Sequence, residues 1–310
     1  MIGYVFLLLL ALLIAAPWLI ERTRRPMDAA ARRDAPGEFV TLSRGVTHYQ
    51  WHGHVDGPVI VMVHGLSSAS WVFSGLFHGL GLMGFRILTY DLYGRGYSDR
   101  PAGIQDRDFF LGQLEELLAA LGIPEDREIC LFGYSMGGSI STCFAAKHPE
   151  RVDRLFLLAP AGMDYTPHPL LKQARISGRF GTWLWMCFGG LLLKRGARAD
   201  ADGATVIPDL PDRIAADLRT RGYLRSILSS ERHMLCEELE AEHRELSRMY
   251  VAVVSIWGAE DDVIPASAIG KLTVWNRDAW KLEVPGAGHG IGYTHPQEII
   301  AAVQENLREV

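Results

Sequence analysis

Hydrophobic and polar positions divide the chain into three regimes. The first is an uncharged run of nineteen residues, Ile2 to Ile20. At about 1.5 Å of rise per residue, a helix of that length spans roughly the hydrocarbon layer of a bilayer, which predicts a membrane anchor over residues 1–21. A cleaved signal peptide would place basic residues ahead of the apolar run and an A-x-A-like site after it. Here only the Met1 amine precedes the run, whereas Arg22, Arg24, Arg25, Arg32 and Arg33 follow it. The positive-inside bias therefore predicts a single-pass anchor with the large domain in the cytoplasm. Pro17 and Trp18 sit near the far end, where a helix irregularity and an interfacial aromatic are tolerated. Residues 22–37, rich in Arg, Ala and Pro, read as a juxtamembrane linker whose arginines favour anionic headgroups.

The second regime alternates strand-like and helix-like segments. Phe39 to Ser43 and Val46 to Trp51 predict an antiparallel pair around Arg44 and Gly45. Val59 to Val63 is continuously apolar, as a strand covered on both faces should be. Strands follow at Phe85 to Tyr90, Ile129 to Gly133 and Leu155 to Ala159, with helices at Phe109 to Leu121 and Met136 to Lys147 between them. Strand, helix, strand in this order implies right-handed crossovers and a parallel sheet. The rhythm resumes with strands at Tyr250 to Trp257 and Lys281 to Val284 and a helix at Pro296 to Leu307. Between them lies the third regime: residues 163–247 carry no convincing strand. They read as a helical insertion above the C-terminal edge of the sheet, where ligands bind in open α/β folds. The core is then 38–162 and 248–310.

Composition narrows the function classes. The 310 residues are 48% hydrophobic and 22% charged, enough apolar material for a large core. A net charge of −5 argues against a surface that tracks nucleic-acid phosphates. Cys130, Cys143, Cys187 and Cys236 lie far apart without metal-type spacing and read as buried thiols in a reducing compartment. The sequence carries no signal of oligomeric state.

Four short segments carry chemistry. Gly133-Tyr134-Ser135-Met136-Gly137 lies where a buried strand meets a helix, and a serine on so tight a reversal needs glycine on either side. The plainer alternative is a glycine-rich turn with a helix-capping serine. Gly258-Ala259-Glu260-Asp261-Asp262 follows a strand, and either Asp261 or Asp262 could orient an imidazole there. A divalent-cation site is disfavoured because nothing supplies further oxygen ligands at loop spacing. Gly286-Ala287-Gly288-His289-Gly290 follows the last strand and presents a histidine suited to proton transfer near neutral pH. His64-Gly65-Leu66 follows the Val59 strand. In an acyl-transfer site the amides of Leu66 and Met136 are the candidates to hold an oxyanion. The His64 imidazole reads as a turn residue packed beneath its loop.

Together these segments resemble the α/β-hydrolase superfamily, on the strings HGLSSASW, DLYGRGYSDRP, GYSMGG, WGAEDDVIP and PGAGHG, from about Phe39 onward. The resemblance implies a mostly parallel central sheet with helices on both faces and a helical cap. It implies Ser135 as nucleophile, His289 as base, and Asp261, ahead of Asp262, as the acid. It also implies that Asp91, Gly94, Gly96, Ser98 and Asp99 shape a structural loop. Such a mechanism requires neither metal nor organic cofactor. A serine nucleophile disfavours the dehalogenase and epoxide-hydrolase branches, while leaving esters, thioesters, amides and carbon–carbon substrates open.

The insertion gives the hint about substrate. Trp183, Leu184, Trp185, Met186, Cys187, Phe188 and Leu191 to Leu193 form an apolar block between Arg179 and Lys194-Arg195. It reads either as a cap helix packed on the core or as an acyl-chain wall that touches the membrane, with Trp183, Trp185, Met186 and Phe188 as candidate substrate contacts. The expected substrate is a small, lipophilic ester, monoacylglycerol-like or lysolipid-like. His168, His233 and His243 read as surface residues. Glu237, Glu238, Glu240 and Glu242, spaced with Arg244 and Arg248, read as a solvated face rather than an amine-binding group. A non-catalytic binding module on the same fold is the alternative from another class.

Overall fold

A computed structural model describes residues 1–308. Helix α1 (Ile2–Thr23) is followed by strands β1 (Glu38–Leu42), β2 (Gly45–Gly53) and β3 (Val59–Val63), helix α2 (Phe77–Leu82), strand β4 (Arg86–Tyr90) and helix α3 (Arg107–Ala120). Next come β5 (Ile129–Tyr134), α4 (Met136–Lys147) and β6 (Val152–Leu158), then five helices in succession: α5 (Pro169–Ile176), α6 (Gly178–Asp202), α7 (Leu210–Leu218), α8 (Tyr223–Arg232) and α9 (Glu240–Arg248). The chain closes with β7 (Ala252–Gly258), α10 (Ser267–Trp275), β8 (Trp280–Val284), α11 (Ile291–Thr294) and α12 (Pro296–Arg308).

The eight strands form one sheet in the order β1-β2-β4-β3-β5-β6-β7-β8. The pairs β1–β2 and β2–β4 are antiparallel, and every other pair is parallel. The continuous apolar runs are explained by cover on both faces. In β3, Val59, Val61 and Val63 pack in the layer formed by α3, α4, α9 and α10, while Ile60 and Met62 pack in the opposite layer with α2, α12 and the inserted helices. Parallel order brings the C-terminal ends of β3, β5, β6, β7 and β8 to one edge, and α5 to α9, inserted between β6 and β7, close over it.

Two helices are silent in the hydrophobic pattern. Helix α2 has six residues, two of them glycine, and α10 has nine with Gly270 in its middle, too few turns to display a period. The linker also differs from a free tether. Glu21, only 2% exposed, accepts a hydrogen bond from the Gly222 amide (2.6 Å) and pairs with Arg24 (2.6 Å). The Arg25 amide donates to Arg219 (3.1 Å), and the Arg221 amide donates back to Arg25 (2.8 Å). Arg32 donates to the Tyr97 carbonyl (2.9 Å) and pairs with Asp99.

Other surface and core assignments are corrected. Cys130 and Cys143 are buried, but Cys187 and Cys236 are exposed, the first on the outer face of α6 and the second in the turn after α8. His243 is fully buried in α9 with neither ring nitrogen hydrogen-bonded, stacked near Trp275. Of the glutamates, Glu240 pairs with Arg244 as its helical spacing suggests. Glu237 and Glu242 instead share Arg107 of α3, and Glu238 pairs with Lys271 of α10.

Candidate active site

Ser135 stands between the last residue of β5 and the first of α4 with φ = 53°, a left-handed conformation that a non-glycine residue adopts only at a cost. The flanking glycines make that turn possible. A Cβ on Gly137 would lie 1.9 Å from the Val63 carbonyl oxygen, and one on Gly133 would lie 2.6 Å from that of Gly137. The backbone is pinned by Ser135 N–H to Leu158 (3.0 Å) and by the amides of Gly138 and Ala161 to the Ser135 carbonyl (2.9 and 3.1 Å). The side chain makes no capping hydrogen bond to α4, so its hydroxyl is left for another partner.

That partner is His289, whose Nε2 lies 3.0 Å from Ser135 Oγ. The other ring nitrogen, Nδ1, lies 2.8 Å from Oδ2 of Asp261. A carboxylate only accepts, so Nδ1 carries the proton and Nε2 presents its lone pair to the serine hydroxyl. The second oxygen of Asp261 accepts from the amides of Val263 and Ile264 (2.9 and 2.8 Å), and its side chain is 1% exposed. Asp262 is exposed and does not reach the ring; of the two adjacent carboxylates, Asp261 is the one that orients it. Tyr134 steadies the same loop by donating its hydroxyl to the His289 carbonyl (2.9 Å). The arrangement can pass the serine proton to an imidazole and stabilise the resulting cation.

The loop carrying Leu66 lies against the serine, since a Cβ on Gly65 would stand 3.2 Å from Ser135 Cβ. Among the described residues neither the Leu66 nor the Met136 amide donates to another protein group, so both remain open to an incoming oxygen. His64 is buried, accepts from the Leu92 amide (2.9 Å) and is depressed to about 4 by burial, so it stays neutral beneath the loop. Asp91 organises the following turn by accepting from the amides of Ser70 and Tyr97 and from the His48 ring. Burial alone would raise its pKa, but the His48 hydrogen bond and charge hold it well below the carboxylate range.

Arg95 is a positioning residue that the sequence does not announce. Fully buried, it donates to the Leu66 carbonyl (2.9 Å), to Gln105 (2.7 Å) and to Ser230 of α8 (2.8 Å), tying the loop to the insertion. Tyr223 does the same by donating to the Ser67 carbonyl (2.6 Å). Neither a charged residue inside a glycine-rich loop nor a single tyrosine shows in one dimension what it holds.

A cavity of about 580 Å³ opens over Ser135 and His289, walled on the insertion side by Trp185, Leu192, Leu193, Ile214 and Ile227. Of the four expected substrate contacts only Trp185 lines it. Trp183 faces α1 instead, donating its indole N–H to the Leu13 carbonyl (3.3 Å) and stacking on Phe180. Phe188 is 47% exposed, and Met186 is buried away from the cavity. The reason is rotation about the helix: residues 185, 192, 193 and 196 share one face, while 183 and 188 turn elsewhere. Among the described residues no group of three or more His, Cys, Asp or Glu side chains is arranged to hold a metal ion.

The family model for the alpha/beta hydrolase fold matches residues 58–296. The chain belongs to the α/β-hydrolase family. It is similar to a 2-hydroxymuconate semialdehyde hydrolase of Pseudomonas putida, 26% identical over 235 residues that cover 72% of this chain and 77% of the relative. It is 34% identical to a (lyso)-N-acylphosphatidylethanolamine lipase of Homo sapiens over 117 residues, 36% of this chain and 33% of that one. Uncharacterized proteins of Mycobacterium tuberculosis and Mycobacterium bovis match at 31% identity over 121 residues. The chain spans about a third of the length of these curated mycobacterial relatives, 34% by the matched segment. Among solved structures, one described as a membrane phospholipase A superposes with a TM-score of 0.70 at 20% identity, covering 99% of this chain and 97% of that one. The enol-lactonase of Burkholderia xenovorans superposes with a TM-score of 0.68 at 20% identity, covering 87% and 100%. At these identities the two superpositions speak for the fold alone.

Proposed function

We propose that this α/β hydrolase is a serine esterase acting on a lipophilic carboxylic ester at a membrane, monoacylglycerol-like or lysolipid-like. The observation that carries the reading is the hydrogen-bonded series Ser135–His289–Asp261 at the floor of a largely apolar cavity. In this reading the Ser135 hydroxyl attacks the ester carbonyl while His289 Nε2 takes its proton, and the amides of Leu66 and Met136 hold the tetrahedral oxyanion. His289 returns the proton to the departing alcohol. Water, deprotonated by the same ring, then releases the acid from Ser135. Asp261 keeps Nδ1 protonated and favours the imidazolium at each step.

The membrane part of the reading is supported by α1, which is long and apolar enough to cross a bilayer. The arginines after it support an orientation with the large domain on the cytoplasmic side. Residues 1–21 then serve as the anchor, 38–162 and 248–310 as the hydrolase core, and 163–247 as its cap. Similarity to a lipase that acts on (lyso)-N-acylphosphatidylethanolamine supports an acyl ester of this kind.

The test is labelling with a fluorophosphonate, followed by hydrolysis of para-nitrophenyl esters from acetate to palmitate. Labelling at Ser135 that is absent from Ser135→Ala, with specificity constants that rise into the medium and long chains, supports the reading. No labelling would leave a binding module, and constants falling steadily with chain length remove the lipophilic substrate. A second reading, cleavage of a carbon–carbon bond on the same triad, is favoured by the 2-hydroxymuconate semialdehyde hydrolase relative. Turnover of 2-hydroxymuconate semialdehyde faster than of any ester would select it.

A further inference from the structure

A second cleft, about 940 Å³ and sharing no lining residue with the cavity over Ser135, opens beside the C-terminal turn of α1. Five arginines line it: Arg22 from α1, Arg44 from the β1–β2 turn, Arg100 from the loop after β4, Arg221 from the α7–α8 connection and Arg225 from the first turn of α8. Two carboxylates also line it, but Glu21 is paired with Arg24 and Asp99 with Arg32. Arg100 is paired with Asp217 (3.3 Å). Arg22, Arg44, Arg221 and Arg225 are exposed and have no carboxylate partner among the described residues. Arg44 rests over the Phe109 ring (5.2 Å), and Arg221 donates to the carbonyls of Arg22 and Arg24 (2.8 and 3.2 Å), which fixes both in place.

Four unpaired guanidinium groups around one cleft repel one another and are relieved by an anion. Their planar fork of N–H donors matches the oxygens of a phosphate. The height of the cleft selects which phosphate. With residues 2–20 filling the hydrocarbon layer, Arg22 follows after only about 3 Å of helix, at the depth of the headgroups. Trp18, at the rim of the same cleft, is the aromatic expected at that boundary. We propose that the cleft binds the phosphate of an anionic lipid headgroup and so seats the hydrolase domain against the leaflet from which α1 emerges. The proposal rests on reading α1 as membrane-spanning, and it is independent of the ester chemistry.

The experiment uses the full chain in nonionic detergent, titrated with dioctanoyl phosphatidylglycerol, dioctanoyl phosphatidylcholine or inorganic phosphate while tryptophan fluorescence is followed. Phosphatidylglycerol is expected to bind saturably and phosphatidylcholine to bind more weakly. In Arg44→Glu/Arg225→Glu the apparent Kd for phosphatidylglycerol should rise about tenfold or more, while Arg44→Lys/Arg225→Lys retains most of the affinity. Arg127→Glu/Arg277→Glu makes the same change in net charge in loops that lead into β5 and β8, and should leave binding unchanged. Hydrolysis of para-nitrophenyl acetate should be equal in all four proteins, which controls for folding. Equal affinity for phosphatidylglycerol in wild type and Arg44→Glu/Arg225→Glu overturns the proposal. So does full occupancy by inorganic phosphate at the same concentration, which would make the site one for a soluble ion. Alkaline carbonate extraction of membranes containing the full chain separately tests the spanning helix: release into the supernatant removes the anchor, whatever the cleft binds.

Discussion

Gly137 of α4 and Val63 of β3 are in such close approach that any Cβ at position 137 would stand 1.9 Å from the Val63 carbonyl oxygen. The neighbour is backbone in a central strand and cannot step aside. Gly137→Ala should therefore displace the start of α4, and with it the Met136 amide and Ser135. The expected outcome is loss of fluorophosphonate labelling together with a lower unfolding midpoint. Retained labelling at the wild-type rate would show that the turn tolerates the shift.

Asp261 and Asp262 are neighbours with unlike surroundings. Asp261→Asn removes the negative charge and, with its oxygen kept on the Val263 and Ile264 amides, turns an NH2 donor toward Nδ1, which holds the ring in the wrong tautomer and should lower kcat by about 10³–10⁴. Asp262→Asn, at an exposed position, should stay within a few-fold of wild type, an expected factor of about 3. Ester hydrolysis by the two purified variants decides the matter, and equal losses would contradict the assignment of Asp261.

His243 is buried without hydrogen bonds, and burial depresses it to about 4. Unfolding restores an ordinary histidine, so below about pH 6.5 the unfolded chain binds a proton that the folded chain does not. The neutral ring thus favours folding fully above pH 6.5, and the advantage is lost as pH falls toward 4. Between pH 7 and pH 5 this one group accounts for about 2 kcal/mol. His243→Phe should keep the stacking with Trp275 and lose that part of the acid sensitivity. Denaturant unfolding of both proteins at the two pH values measures it; identical pH dependence would mean that the ring finds a proton partner in the folded state.

Leu192 lies on the cavity-facing stripe of α6. Leu192→Trp should shorten the space above Ser135, lowering kcat/KM for a palmitoyl ester by about tenfold or more while leaving acetate hydrolysis within about 2-fold. Phe188→Trp, on the exposed face of the same helix, should change neither. A chain-length profile for each variant provides the comparison.

Much of the fold is legible because a strand covered on both faces is apolar throughout, as Val59 to Val63 is, and because Met136 to Lys147 begins directly after a glycine-flanked serine. The three candidate side chains share a position in the pattern: each follows a strand of the same parallel sheet, so its edge collects them. The expected wall of the cavity was less readable. In α6 nearly every residue from Trp183 to Leu193 is apolar, so no stripe distinguishes the face over Ser135 from the face that meets α1 or solvent. His243 and Arg95 look like surface residues in one dimension, since burial of a polar side chain depends on elements distant in the chain. The docking of residues 21–32 was hidden for the same reason: its partners are Tyr97, Asp99 and the Arg219 to Gly222 segment.

That docking has a mechanical consequence. The Arg219 to Gly222 segment connects α7 to α8, two of the helices that roof the cavity, and it is spliced by main-chain hydrogen bonds to Arg25, two residues past α1, and by the Gly222 amide to the Glu21 carboxylate within α1. With α1 held in a bilayer, the roof cannot swing outward as a rigid flap without hauling a lipid-embedded rod along with it. Traffic to and from Ser135 then depends on smaller displacements within the roof itself, and the doorway keeps a fixed position relative to the lipid.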